Sequence, residues 1–210
     1  RSVWILTIMV FPIGGPVIYL MFGERYMPAK KRALGISSLH QATEASMATA
    51  ERDGAATMPE VEPDNSIALF LKHSCGTVPV TGNSAELMAD SNAGMARLAA
   101  DIDASVTTVH LSFYIWLADN NGLLIKDALI RAAQRGVTCR VLADAIGSRD
   151  FIQSKHWKDL ESAGVQVTRT LHESLLAWGL GAGRIDLRDH RKIMVIDNRI
   201  TFVGSQNCAD

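Results

Sequence analysis

His190 and Lys192 stand two residues apart, Asp197 follows five residues later, and Gly204, Ser205 and Asn207 come within the next ten. If the segment is a strand, alternate side chains share a face. His190 and Lys192 then point the same way while Ile193, Val195 and their neighbours pack into apolar layers. Asp197-Asn198-Arg199 has the composition of a tight turn, and the run Ile200 to Val203 returns antiparallel into Gly204-Ser205-Gln206-Asn207. That return brings Ser205 and Asn207 back beside His190.

An imidazole, an ammonium, a carboxylate, a hydroxyl and an amide, with a glycine that admits a ligand to the backbone, suit a phosphodiester. Such a substrate needs a nucleophile or acid that titrates near neutrality, fixed positive charge for the non-bridging oxygens, and uncharged donors for what remains. No metal is expected, because no Cys or His cluster at ligand spacing accompanies the motif and Lys192 would repel a cation. A solvated surface hairpin is the plain alternative for a lone His-x-Lys. His-x-Lys-x4-Asp followed by Gly-Ser-x-Asn at hairpin distance is far more specific.

The elements that must position these groups begin at Ile67. Ile67 to Lys72 opens a short helix, Val78 to Asn83 reads as a strand and turn, and Ser84 to Asp101 carries Leu87, Met88, Met95 and Leu98 at roughly helical spacing. Val106 to Leu117 is the strongest strand, expected to be buried on both faces as a central strand would be. Asn120-Asn121-Gly122 reads as a turn, Leu123 to Arg135 as a helix stopped by Gly136, and Val137 to Ala143 as the next strand. Strand, helix, strand implies a right-handed crossover and a parallel pair. Asp144 to Ser148 then sits at a strand's carboxyl end, where open α/β sheets place ligands, although Asp144 serves equally well as a cap. Phe151 to Ala163 is a helix ending at Gly164, and Val165 to Thr170 is a strand. Leu171 to Gly183 is an apolar, glycine-rich loop that suits acyl chains or a bilayer surface, or simply covers the core.

Composition limits the partners. A net charge of -1 over 210 residues gives no general support for nucleic-acid binding. Cys75, Cys139 and Cys208 are an odd number at unrelated spacings, which argues against a disulfide framework. Ser2 to Gly23 carries no charge and has about the roughly 20 residues needed to cross a hydrocarbon core, with interruptions at Pro12, Gly14, Gly15 and Pro16. Arg25, Lys30, Lys31 and Arg32 follow it, so the positive-inside rule puts the rest of the chain on the cytoplasmic side. The organisation read here is a transmembrane helix and basic segment over residues 1–32, a linker over 33–66, and an α/β domain over 67–210.

His190-x-Lys192-x4-Asp197 with Gly204-Ser205-x-Asn207 resembles the HKD motif of the phospholipase D superfamily. Its wording, from Arg188-Asp189-His190-Arg191-Lys192 onward, is similar to bacterial cardiolipin synthases. The similarity runs from residue 78 to 210 through Thr81-Gly82-Asn83, Tyr114-Ile115-Trp116, Asp119, Arg135-Gly136-Val137 and Leu142-x-Asp144-x-x-Gly147-Ser148. Pro12 to Glu24 also resembles the end of the second membrane helix of those enzymes, which implies a first helix ahead of Arg1.

The resemblance implies a phospholipase D-like domain, a mixed sheet flanked by helices, that acts without a cofactor at a bacterial inner membrane. It implies a phosphatidyltransferase in which His190 attacks one phosphatidylglycerol, forming a phosphohistidine that a second phosphatidylglycerol resolves to cardiolipin and glycerol. Lys192, Ser205 and Asn207 would hold phosphate oxygens beside Gly204. Asp197 would orient an imidazole, although the family's carboxylate often serves the partner motif or its own hairpin. Water as acceptor would give a phospholipase D-type phosphodiesterase instead. Because only one such motif is present, the expectation is a truncated chain, inactive alone, that needs a second HKD half or a homodimer partner.

Overall fold

The computed structural model describes residues 2–22, 37–38, 41, 44, 66–75, 82–170 and 188–210. Two compact units emerge, one formed by Arg1–Glu24 with Met88–Asp210, the other by Arg25–Leu87. The second contains a helix at Ser66–Cys75, called α3 below. The expected strand at Val78 to Asn83 and the loop Leu171 to Gly183 lie wholly or mainly outside the described residues.

The apolar N-terminus forms two helices of nine residues, α1 (Ser2–Val10) and α2 (Gly14–Phe22), where a single spanning helix was expected. Pro12 lacks an N–H and disfavours helical geometry at the residue before it, so the helix stops there. The two halves fold back on each other. Trp4 and Tyr19 meet edge to face at 5.7 Å, and a Cβ at Gly15 would lie 2.7 Å from the Ile8 Cα. Each helix is about 14 Å long at 1.5 Å per residue, under half the hydrocarbon thickness. Among the described residues no helix is long and apolar enough to cross a membrane.

The α/β part runs α4 (Ser91–Asp103), β1 (Thr108–Phe113), α5 (Asn120–Gln134), β2 (Thr138–Asp144), α6 (Arg149–Gln153), α7 (Lys155–Ser162), β3 (Gln166–Thr170), β4 (Ile193–Ile196) and β5 (Ile200–Val203). The strands form one mixed sheet in the order β3-β2-β1-β4-β5. β1, β2 and β3 are parallel, while β4 runs antiparallel to β1 and β5 antiparallel to β4. Central β1 is buried on one face only. Val109, Leu111 and Phe113 enter a core shared with Val141, Ala143, Met194 and Ile196, whereas Thr108, His110 and Ser112 are half-buried. The expectation of two buried faces fails because these three polar side chains hold the other face to partial exposure.

Helix starts are set by caps. Asn120-Asn121-Gly122 is the first turn of α5, not a free turn, because the Asp119 carboxylate accepts the Gly122 N–H at 2.9 Å. Asp90 does the same for Ala93 at 2.7 Å, so α4 begins seven residues later than the hydrophobic spacing predicts. Ser154 divides the expected Phe151 to Ala163 helix into α6 and α7, accepting the His156 N–H as a new N-cap.

Candidate active site

The sheet topology gathers the chemistry at one end. β1 and β2 end at Phe113 and Asp144, while antiparallel β4 begins at the same end, with Ile193 opposite Ser112 and Val203 of β5 opposite Ile193. The segment leading into β4, with His190 and Lys192, and the segment leaving β5, with Gly204, Ser205 and Asn207, therefore flank the carboxyl ends of the parallel strands. His190 and Lys192 precede the regular strand and lie in the irregular segment just before it.

The His190 imidazole lies on the ring of Tyr114, with centroids 3.9 Å apart and planes within 18°. Lys192 Nζ sits 5.2 Å from the centroid of the same ring and donates to the His190 carbonyl at 2.9 Å. An aromatic face thus carries both the imidazole and the ammonium. The Asn207 Oδ1 accepts the Ile115 N–H at 3.2 Å, which ties the return segment to the residue after Tyr114. Beyond it the chain docks along the extension of β1. Cys208 exchanges backbone hydrogen bonds with Ile115 and Leu117 at 3.0 Å each, and Cys208 and Ala209 are buried. Ser205 and Gly204 are exposed, and among the described residues nothing beyond its chain neighbours comes within 4 Å of where a Gly204 Cβ would stand.

Asp144 holds the approach to His190. Its fully buried carboxylate accepts the N–H groups of Ile146 and Gly147 at 3.0 and 2.9 Å through Oδ1 and that of Asp189 at 3.2 Å through Oδ2. Arg188 Nη1 lies 3.7 Å from Oδ1. One side chain therefore caps its own loop and fixes the residue before His190. The adjacent Asp189 pairs with Arg191 at 2.6 Å, and that hydrogen bond holds its carboxyl below the ordinary range.

Asp197 is at the other end of the hairpin. Asp197 and Asn198 have φ of 51° and 52°, a left-handed pair in the three-residue connection between Ile196 and Ile200, and the Arg199 N–H closes the turn on Ile196. The Asp197 carboxylate accepts the N–H groups of Val106, Thr107 and Thr108 at 2.9, 2.8 and 2.8 Å and the Thr107 hydroxyl at 2.8 Å. Burial pushes its pKa up, but these four donors outweigh it and leave the carboxyl far below the usual range. Seven positions separate it from His190, and the whole of β4 lies between them. The structure does not bring Asp197 to the imidazole; it anchors the start of β1. Sequence reasoning missed Tyr114, whose position two beyond Ser112 on the half-open face was the available signal.

The fold and its strand-end cluster define an α/β domain with a cationic, imidazole-bearing segment at the carboxyl end of its parallel strands. The chain belongs to the phospholipase D-like domain family of cardiolipin synthases, which it matches over residues 98–210, and residues 1–24 match the phospholipase D-nuclease N-terminal family. A cardiolipin synthase A from Pectobacterium carotovorum is 34% identical over 209 residues, covering 99% of this chain and 42% of the relative. One from Escherichia fergusonii is 32% identical over 211 residues, with the same coverage of 99% and 42%. The chain thus spans less than half the length of these relatives. Among solved structures it is similar to Nuc, a phospholipase D family member from Salmonella typhimurium. The identity is 20%, the TM-score is 0.42, and the match covers 55% of this chain and 64% of that one.

Proposed function

We propose that the site carries out phosphatidyl transfer, taking phosphatidylglycerol to cardiolipin through a phosphohistidine on His190. The observation that carries the reading is the exposed His190 imidazole with the Lys192 ammonium over one aromatic ring, on the segment that enters β4 where Gly204, Ser205 and Asn207 follow the paired end of β5. A neutral imidazole nitrogen attacks phosphorus, the P–N bond forms, and the P–O bond to the glycerol headgroup breaks. The leaving glycerol takes a proton from a second imidazole, which then accepts the proton of the incoming phosphatidylglycerol hydroxyl as the P–N bond breaks. Lys192 neutralises the non-bridging oxygens, and the backbone at Gly204 and the side chains of Ser205 and Asn207 supply the remaining contacts.

None of the other five histidines has a Lys two residues on with an Asp five beyond it, so the second imidazole comes from another motif, either a second half or a second copy. The apolar α1–α2 hairpin, with Ile5, Leu6, Met9, Val10, Phe11 and Ile13 exposed, supplies attachment to the bacterial inner membrane where the substrate resides.

Products discriminate the acceptor. With phosphatidylglycerol vesicles and a preparation that supplies the second motif, transfer yields cardiolipin and glycerol, whereas hydrolysis yields phosphatidic acid and glycerol. Phosphatidic acid as the sole lipid product would replace this reading with a phosphodiesterase.

A further inference from the structure

We propose that Tyr114 is a positioning residue for His190, its phenol ring serving as the platform that selects the imidazole rotamer used in the reaction. The proposal rests on the phosphatidyl-transfer reading for its chemistry and on the structure for its geometry.

His190 is exposed and lies outside the strands, and among the described residues no hydrogen bond to its imidazole is made. An exposed side chain of this kind samples several staggered rotamers, whereas an attacking nitrogen must be held in line with phosphorus. Asp197, the group expected to orient an imidazole, is committed to Val106, Thr107 and Thr108. Beside the charge of the adjacent Asp189, what holds the ring's orientation is the stack, at 3.9 Å and 18°.

The platform itself is immobilised. The buried Ser148 hydroxyl donates to the Tyr114 carbonyl at 3.0 Å and accepts the Trp116 N–H at 3.0 Å, so one side chain clamps the backbone on both sides of Ile115. The ring edge abuts Gly147, where a Cβ would stand 2.8 Å from Tyr114 Cε2 and would also clash with the Tyr114 carbonyl oxygen. Only a glycine leaves the ring where it is. Gly147 is in turn held by Asp144, so the loop after β2 fixes both the ring and the chain leading to His190.

The test is magnetic resonance on the histidine-labelled chain together with kinetics where the second motif is supplied. In the wild type the His190 ring protons should show a through-space contact to the Tyr114 ring and an upfield displacement, with the signals assigned by His190→Ala. Tyr114→Phe keeps the aromatic face and should preserve both the displacement and kcat. Tyr114→Leu should abolish the displacement and lower kcat between about tenfold and a hundredfold with little change in KM, as expected when a reacting group is misplaced without loss of binding. Gly147→Ala, whose Cβ would press on both the Tyr114 carbonyl and its ring without truncating the ring, should act in the same direction and stands in if the leucine variant does not fold. Absence of the contact in the wild type, or wild-type kcat in a folded Tyr114→Leu, or equal damage from Phe and Leu, would overturn the platform. An active His190→Ala would overturn the transfer reading itself, and the platform's role with it.

Discussion

The Asp144 carboxylate accepts the backbone N–H of Asp189 at 3.2 Å, joining the loop after β2 to the residue immediately before His190. A contact 45 residues apart in sequence thereby sets the chain direction at the imidazole. Asp144→Ala strands three partly buried N–H groups and removes the buried carboxylate that Arg188 Nη1 faces at 3.7 Å. The expected cost is about 3 kcal/mol, in the range for breaking a buried charged network. Asp144→Asn retains one acceptor and should cost less. Urea unfolding checks both, and a loss under about 0.5 kcal/mol for the alanine variant would remove Asp144 as the strut.

Asp197 leads to a different expectation. Its four charge-assisted hydrogen bonds serve β1, so Asp197→Ala should destabilise the domain by about 2 kcal/mol or more while folded molecules keep their transfer activity. Its folded pKa is depressed below the unfolded value of about 3.9, so the stability it contributes is present above that pH and is lost as pH falls through the folded pKa. The stability gap between wild type and variant should therefore be constant from pH 7 to about 5 and narrow below about 4. Loss of activity without loss of stability would return Asp197 to the reacting groups.

Much of this arrangement was legible in the residues themselves. The Asp-Asn pair in the hairpin turn, the antiparallel return of Ile200 to Val203 and the parallel pairing of β1 with β2 are local or nearest-neighbour consequences of turn chemistry and alternation. The roles of Tyr114, Asp144 and Asp197 were less legible, because each depends on what lies across the sheet. Asp197 reads as a member of a catalytic motif by spacing, yet strand direction puts it at the wrong end. Asn120-Asn121-Gly122 misleads for the opposite reason, since Asp119 one residue earlier caps a helix that absorbs the apparent turn. The charge-free N-terminus counts as a span by length, but Pro12 divides it into halves too short to cross alone.

That division does not remove the apolar surface. With Leu6, Met9, Phe11 and Ile13 between 60% and 87% exposed, the α1–α2 hairpin should partition into a bilayer. The chain should resist carbonate extraction, and deletion of residues 1–32 should release a folded α/β domain. Recovery of the undeleted chain wholly in the soluble fraction would end the attachment proposal.

Assembly state follows from the count of motifs. The proposed transfer uses two imidazoles on one phosphorus, and these 210 residues carry one His-x-Lys-x4-Asp motif. A monomer in detergent should form no cardiolipin, while activity should accompany a dimer whose two-fold axis places two His190 rings on one phosphate. Turnover by a monodisperse monomer would refute the requirement.

The most direct measurement of the central claim is cardiolipin formation from phosphatidylglycerol by His190→Ala in a preparation that supplies the second motif. The side chain is exposed and touches Tyr114 rather than the core, so the variant should unfold at the wild-type denaturant midpoint. Transfer should fall by at least about a thousandfold, the scale on which loss of a nucleophile or an essential acid is felt. A folded His190→Ala within about tenfold of wild type would contradict the account.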